Sequence, residues 1–137
     1  MNKLNKKIVY QLWPSCIYGS KGQILTVEHL IPQVWLRQIG ATASLTHDYI
    51  HLFPAGKEIN IMRGCQNLYD FVPVKNRGIV ARSLQDMRTK YPEVDPIMKY
   101  VLSYRDYVNW LSEPISDAEK RRNEILRSLK HNSINLY

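Results

Sequence analysis

Glu28 and His29 stand side by side within Thr26-Val27-Glu28-His29-Leu30-Ile31-Pro32-Gln33, a carboxylate next to an imidazole near the end of an apolar run. Further on, Gly56-Lys57-Glu58-Ile59-Asn60-Ile61-Met62-Arg63-Gly64 puts an amide and a guanidinium three residues apart on what reads as a helix. Together these supply a hard-cation ligand, a second oxygen ligand, a neutral base and a phosphate-seeking cation, which are the parts needed to hydrolyse a phosphodiester. An imidazole of ordinary pKa, about 6.5, can take a proton from water at physiological pH. A single Mg²⁺ can stabilise the leaving oxygen where the protein offers few oxygen ligands and leaves places for water and phosphate. Neighbouring residues on a regular strand face opposite ways, so Glu28 and His29 can share a site only where the strand breaks, which the nearby Pro32 permits.

The elements that must position these groups follow from pattern and punctuation. Lys7 to Trp13 is rich in strand formers and stops at Pro14, predicting a first strand. Ser15 to Gly22 is a turn-rich connection punctuated by Gly19, Ser20 and Gly22, and Gln23 to Leu30 reads as a strand. Pro32 opens a short helix, Gln33 to Gln38, ended by Gly40; residues 40–47 read as a loop and Tyr49 to Phe53 as a short strand. Lys57 to Arg63 starts the next helix after Pro54-Ala55-Gly56. Beyond it the chain is helical. Ile79, Val80, Leu84, Met87 and Tyr91 form one stripe, and Ile97, Tyr100, Val101, Tyr104, Val108 and Leu111 form another after an Asp95-Pro96 start. Ser116 with Glu119 is a capping-box signature for a last helix to about Lys130. The expected fold class is α+β: a small two-stranded element and its helix, buttressed by a helical C-terminal half, in a single domain over 1–137.

Composition is that of an ordinary globular chain, with 45% apolar and 23% charged residues in 137. No apolar run is long enough to span a bilayer, and no apolar h-region follows Lys3, Lys6 and Lys7, so neither a membrane partner nor a secretory signal is expected. Cys16 and Cys65 could form one bridge; without a signal peptide, reduced thiols and an intracellular setting are expected. The net charge of +7 is unevenly placed. Residues 1–92 hold twelve Lys/Arg against five Asp/Glu, whereas 93–137 hold seven of each. The positive field therefore surrounds Glu28, His29, Asn60 and Arg63, and attracts a polyanion. No homeodomain, zinc-finger or RRM pattern is present, so base-specific readout is not expected.

Four ordered blocks, covering most of the chain from about residue 25, resemble the bacterial endonuclease I family of periplasmic and secreted DNases, within the His-Me finger (ββα-metal) nucleases. Glu28-His29-Leu30-Ile31-Pro32 resembles the family's Glu-His-Val-Val-Pro. Asp48 to Leu52, Pro54 and the Gly56–Gly64 segment resemble its Asp-x-x-Asn-Leu-x-Pro and Gly-x-Val-Asn-x-x-Arg. Arg77-Gly78-Ile79-Val80-Ala81-Arg82 with Met87-Arg88 resembles its Arg-Gly-x-x-Ala-Arg helix and Met-Arg pair. Trp110-Leu111, Pro114, Arg122-Asn123 and His131-Asn132-Ser133-Ile134-Asn135 resemble its C-terminal portion.

The resemblance implies a ββα-metal element at about 23–66 and a helical buttress at about 77–131. It also implies that His29 is the general base and that Glu28 and Asn60 hold one divalent cation, Mg²⁺ or else Mn²⁺ or Ca²⁺. Arg63 is then the candidate for holding the scissile or a flanking phosphate, the alternative being a pair with a carboxylate such as Asp48. Lys57 is a further nucleic-acid contact, and Arg82 is either another or a structural residue. The substrate expected is DNA, with RNA as a second candidate, cut with little sequence preference. Asp48 is expected to orient its loop, and His47, His51 and His131 to be surface or packing residues. The family's signal peptide and disulfides are missing here, His51 replaces its usual Asn, and Cys65 stands where Asn often follows Arg-Gly. These departures point to an intracellular or virus-encoded form. Two other readings fit parts of the pattern: a nucleic-acid-binding or packaging protein on a nuclease scaffold that no longer cuts, and a helical protein–protein adaptor.

Overall fold

The computed structural model describes residues 3–19, 24–71 and 76–132. Ser20, Gly22 and Gln23, the Ser133-Ile134-Asn135 ending and the His131 side chain lie outside the described residues. The class is α+β, with a two-stranded antiparallel sheet among helices. Strands β1 (Leu25–His29) and β2 (Leu52–Gly56) pair with Val27 opposite Pro54 and His29 opposite Leu52. A proline inside a strand ordinarily removes a ladder bond. Here the Pro54 carbonyl accepts from Ile17 N (2.8 Å) and Gly56 N donates to the Tyr18 carbonyl (3.1 Å), so this edge of Pro54 faces residues 17–18 and its missing N–H interrupts no bond to β1.

The N-terminal segment is a helix, α1 (Lys3–Leu12), where a strand was expected. Asn5, Ile8, Val9 and Leu12 fall at i, i+3, i+4 and i+7 and are partly or fully buried, with Tyr10 partly buried beside them, whereas Lys3, Lys6 and Lys7 are exposed. Burial of one helical stripe against β1, β2 and the last helix outweighs the strand preference of Ile8, Val9 and Tyr10. Helix α2 (Gln33–Gln38) follows Pro32 as expected. The expected loop at 40–47 contains a helical turn, α3 (Ala43–Thr46), because the Thr42 hydroxyl accepts from Leu45 N at 3.2 Å. A 3₁₀ turn at Tyr49–His51 precedes β2, so the strand begins later than expected. Helices α4 (Lys57–Arg63) and α5 (Leu68–Phe71) follow.

Helix α6 (Arg77–Lys90) is the central support, burying Ile79, Val80, Ala81, Leu84 and Met87. Large apolar side chains of this kind contribute roughly 1.5–3 kcal/mol each when removed from water. The apolar stripe expected as one helix over Ile97–Leu111 is two helices, α7 (Asp95–Val101) and α8 (Tyr104–Leu111). The break arises at Leu102, which is extended, and at Ser103, whose hydroxyl accepts from Asp106 N (3.2 Å) and donates to the Asp106 carboxylate (2.6 Å). That local cap starts a new helix with the apolar spacing preserved. The Ser116 hydroxyl likewise accepts from Glu119 N at 3.1 Å and opens α9 (Asp117–Asn132), as expected. One apolar core draws on both halves, from Trp13 and Leu30 to Val101 and Trp110, and Trp35 of α2 stacks on Tyr100 of α7 with centroids 5.3 Å apart.

Gly78 lets α6 approach the turn after α8. A Cβ there would lie 2.9 Å from Glu113 Cβ and 3.0 Å from the Glu113 carbonyl oxygen. Gly→Ala in a helix interior normally stabilises by up to about 1 kcal/mol; Gly78→Ala is expected to destabilise instead, by about 1–3 kcal/mol, through overpacking. Urea unfolding checks the sign.

Candidate active site

Strand β1 ends at His29, and the chain leaves the ladder with Leu30 N donating to the His51 carbonyl at 3.0 Å. Glu28 and His29 consequently line one cleft of about 410 Å³, with Asn60 and Gly64 from the end of α4 and with Pro32, Val34 and Cys65. A larger cleft of about 730 Å³ lies elsewhere, between Tyr69, Arg77, Arg105 and Trp110. The smaller one is the candidate because it joins a carboxylate, an amide and an imidazole.

One terminal atom of the Asn60 amide lies 2.8 Å from Glu28 Oε2 and 3.2 Å from Oε1. The other lies 3.4 Å from the Val27 carbonyl. Which is oxygen follows from the partners. With the nitrogen on Glu28, the amide donates to the carboxylate. With the nitrogen donating to Val27, an amide oxygen meets a carboxylate oxygen, a repulsive contact unless a cation lies between them. The 2.8 Å spacing is that of an amide N–H donating to a carboxylate, and turning the amide would bring its oxygen and the Glu28 carboxylate together as the two groups that would hold a divalent cation. Among the described residues no group of three or more His, Cys, Asp or Glu converges on a metal position. A cation here would have two protein oxygens and take its remaining ligands from water and substrate.

Burial raises the Glu28 carboxyl to about 7, against the opposing pull of Arg63, and a divalent cation would favour its ionised form. Arg63 lies fully buried rather than in the cleft. Its Nη1 is 3.3 Å from Glu28 Oε1 and donates to the His29 carbonyl (3.0 Å). Nη2 donates to the Leu30 carbonyl (2.9 Å) and Nε to the Gln66 carbonyl (3.0 Å). A guanidinium so engaged holds the carboxylate and the end of β1, and a phosphate could reach it only by displacing those acceptors. Arg82 is similarly occupied. It forms a two-pronged pair with Glu119 (2.6 and 2.7 Å) and donates to the Glu113 carbonyl (2.8 Å), joining α6 to α9. Lys57 is exposed, one turn before Asn60, and is the expected nucleic-acid contact that reaches solvent.

His29 sits between two other imidazoles, with ring centroids 5.6 Å from both His47 and His51. Its Nε2 is 3.4 Å from His47 Nδ1. Burial first, then the neighbouring His51 and His47, pushes its pKa down to about 3, so the ring is neutral at physiological pH. An anionic phosphodiester brought against it would favour the protonated ring and restore basicity. His51 is fully buried, accepting from Ile31 N at 3.4 Å and donating from Nε2 to the Thr46 carbonyl at 3.0 Å, which fixes it as the Nε2–H tautomer. Asp48 orients its turn as expected, accepting from Ile50 N (3.0 Å), Lys90 Nζ (2.8 Å) and Tyr91 OH (2.7 Å).

No protein-family model, curated protein or solved structure matches the chain.

Sequence reasoning missed Arg122, His47 and His51 as parts of the site's support. Arg122 Nη2 donates to the carbonyls of Tyr49 (3.0 Å), Ile50 (3.1 Å) and Leu52 (3.1 Å), and its guanidinium lies 4.1 Å from the Phe53 ring centre. It fixes the start of β2 as Arg63 fixes the end of β1. The usable signal for the histidines was register, since His29 opposite Leu52 brings residue 51 beside it. Cys16 is buried, Cys65 exposed, and they do not form a disulfide.

Arg63→Met is expected to cost about 3 kcal/mol or more in urea unfolding, since it leaves Glu28 buried beside unanswered carbonyls, and Arg63→Lys to recover little of it. His51 generates a pH dependence. Burial lowers its pKa to about 4, so between about 6.5 and 4 the unfolded chain binds a proton that the folded chain refuses. Its contribution to stability is full above 6.5 and declines as pH falls. The stability advantage of the wild type over His51→Asn should shrink by about 2 kcal/mol between pH 7 and pH 5.

Proposed function

We propose that this protein is a divalent-metal-dependent endonuclease that hydrolyses phosphodiester bonds in DNA, with RNA as a second substrate, and with little sequence preference. The observation that carries the reading is the convergence of the Glu28 carboxylate and the Asn60 amide at 2.8 Å beside a neutral His29 in one open cleft. These residues suit the roles that the endonuclease I resemblance implies, on a β1–β2–α4 unit read as a ββα-metal core. His29 accepts the proton of the attacking water, and Glu28 and Asn60 hold the cation. Bound there, Mg²⁺ supplies charge stabilisation at the phosphoryl and leaving oxygens.

Arg63 already balances Glu28, so the two-oxygen site has little negative charge of its own. Cation affinity therefore depends on the phosphate that arrives with the substrate, and metal and nucleic acid bind cooperatively. Exposed Lys57, together with the exposed Lys3, Lys6, Lys7 and Arg37, supports a polyanionic substrate. Arg63 serves this reading as a positioning residue and Arg82 as a structural one.

Conversion of supercoiled plasmid to nicked circles provides the test. Mg²⁺ should support it and EDTA abolish it, with His29→Ala lowering the rate at least about 100-fold and Glu28→Gln comparably. Tight, salt-dependent DNA binding with no nicking under any divalent metal would instead establish a binding or packaging protein.

A further inference from the structure

Two imidazoles 3.4 Å apart, Nε2 of His29 to Nδ1 of His47, permit two interpretations: a shared transition-metal ion or a direct hydrogen bond. The ring positions decide between them. The centroids are 5.6 Å apart and the nitrogens 3.4 Å, a difference of 2.2 Å that is about two ring radii, so the nitrogens point at one another along a single line. Two imidazoles converging on a tetrahedral ion at about 2.0–2.1 Å would be bent toward each other, with their centroids nearer than this. The head-on arrangement is that of an N–H···N hydrogen bond.

We infer that His47 is a positioning residue for His29: its Nδ1 accepts the Nε2 proton of His29, holding that ring as the tautomer whose bare Nδ1 is left for water. The proposal rests on the reading of His29 as the base. The local structure favours a fixed partner. Thr42 caps α3 through Leu45, and the chain at Asp48 is tied by Ile50 N, Lys90 and Tyr91, so residue 47 sits between two anchored points. On the other side of His29, His51 has both ring nitrogens committed to Ile31 N and the Thr46 carbonyl. It can pack against His29 but has no nitrogen left to choose its tautomer. His47 is exposed, so water can satisfy its own Nε2.

The opposite polarity, with His47 Nδ1–H donating to His29 Nε2, would leave a proton on Nδ1 of His29 and no base. The inference therefore commits to one tautomer, which can be read without measuring cleavage. ¹⁵N-resolved imidazole spectra of the full chain at pH 7 should show His29 protonated at Nε2 and bare at Nδ1, with that preference lost in His47→Ala. In plasmid nicking, His47→Ala should lower kcat about 10- to 100-fold with KM nearly unchanged, and His47→Asn, whose side-chain oxygen can take the place of Nδ1, should recover much of it. A His29 ring protonated at Nδ1 in the wild type, or a His47→Ala protein with unchanged kcat, would overturn the inference. Failure of the nuclease reading is separate: it would appear as no cleavage by the wild type, while the spectra still report the tautomer.

Discussion

The buried guanidinium of Arg63 is the interaction on which the site depends. It reaches back from the last turn of α4 to the Glu28 carboxylate and to the carbonyls of His29 and Leu30, while Gln66 takes its remaining contact. A strand end inside a protein leaves carbonyls without ladder partners, and an unsatisfied buried acceptor is costly. Arginine answers several at once because its donors lie in a planar fork. The result keeps Glu28 and His29 together at the point where the strand stops, so that neighbouring residues can serve one cleft although a regular strand would separate them.

Arg122 repeats the device from the opposite side. It comes from α9, far along the chain, and binds three carbonyls where the 3₁₀ turn runs into β2. Together the two arginines hold the outgoing end of one strand and the incoming end of its partner. The histidines fall in the space between: His29 on β1, His47 after α3, and His51 at the mouth of β2. The helical half thus sets the geometry of the polar site as well as supplying apolar core. Arg82 with Glu119, and Asp48 with Lys90 and Tyr91, tie α6 to α9 and to the turn before β2.

Much of the basic surplus noted in the first 92 residues performs internal tasks. Arg63 is buried, while Arg82, Arg88 and Lys90 face carboxylates. The exposed cations of that part include the lysines of α1, Arg37 and Lys57. A count of charges along a chain registers both kinds equally, whereas a polyanion meets only the exposed ones.

By itself the sequence determined the α+β class, the helices opening at Pro32, Lys57 and Ser116, and the pairing of a carboxylate-imidazole strand end with an amide-bearing helix. These are local matters: apolar period, capping chemistry and turn residues act over a few positions. It misjudged α1, because Ile8 and Val9 favour strands intrinsically and only the surface they pack against makes the helical stripe pay. It also missed the break at Leu102, where a Ser-Asp cap lies hidden inside an unbroken apolar spacing. Tertiary structure alone decided that Arg63 and Arg82 turn inward to carboxylates and that three histidines gather in a row. Those outcomes depend on contacts between residues tens of positions apart, where desolvation and the supply of hydrogen-bond acceptors select the partner, and no local pattern records them.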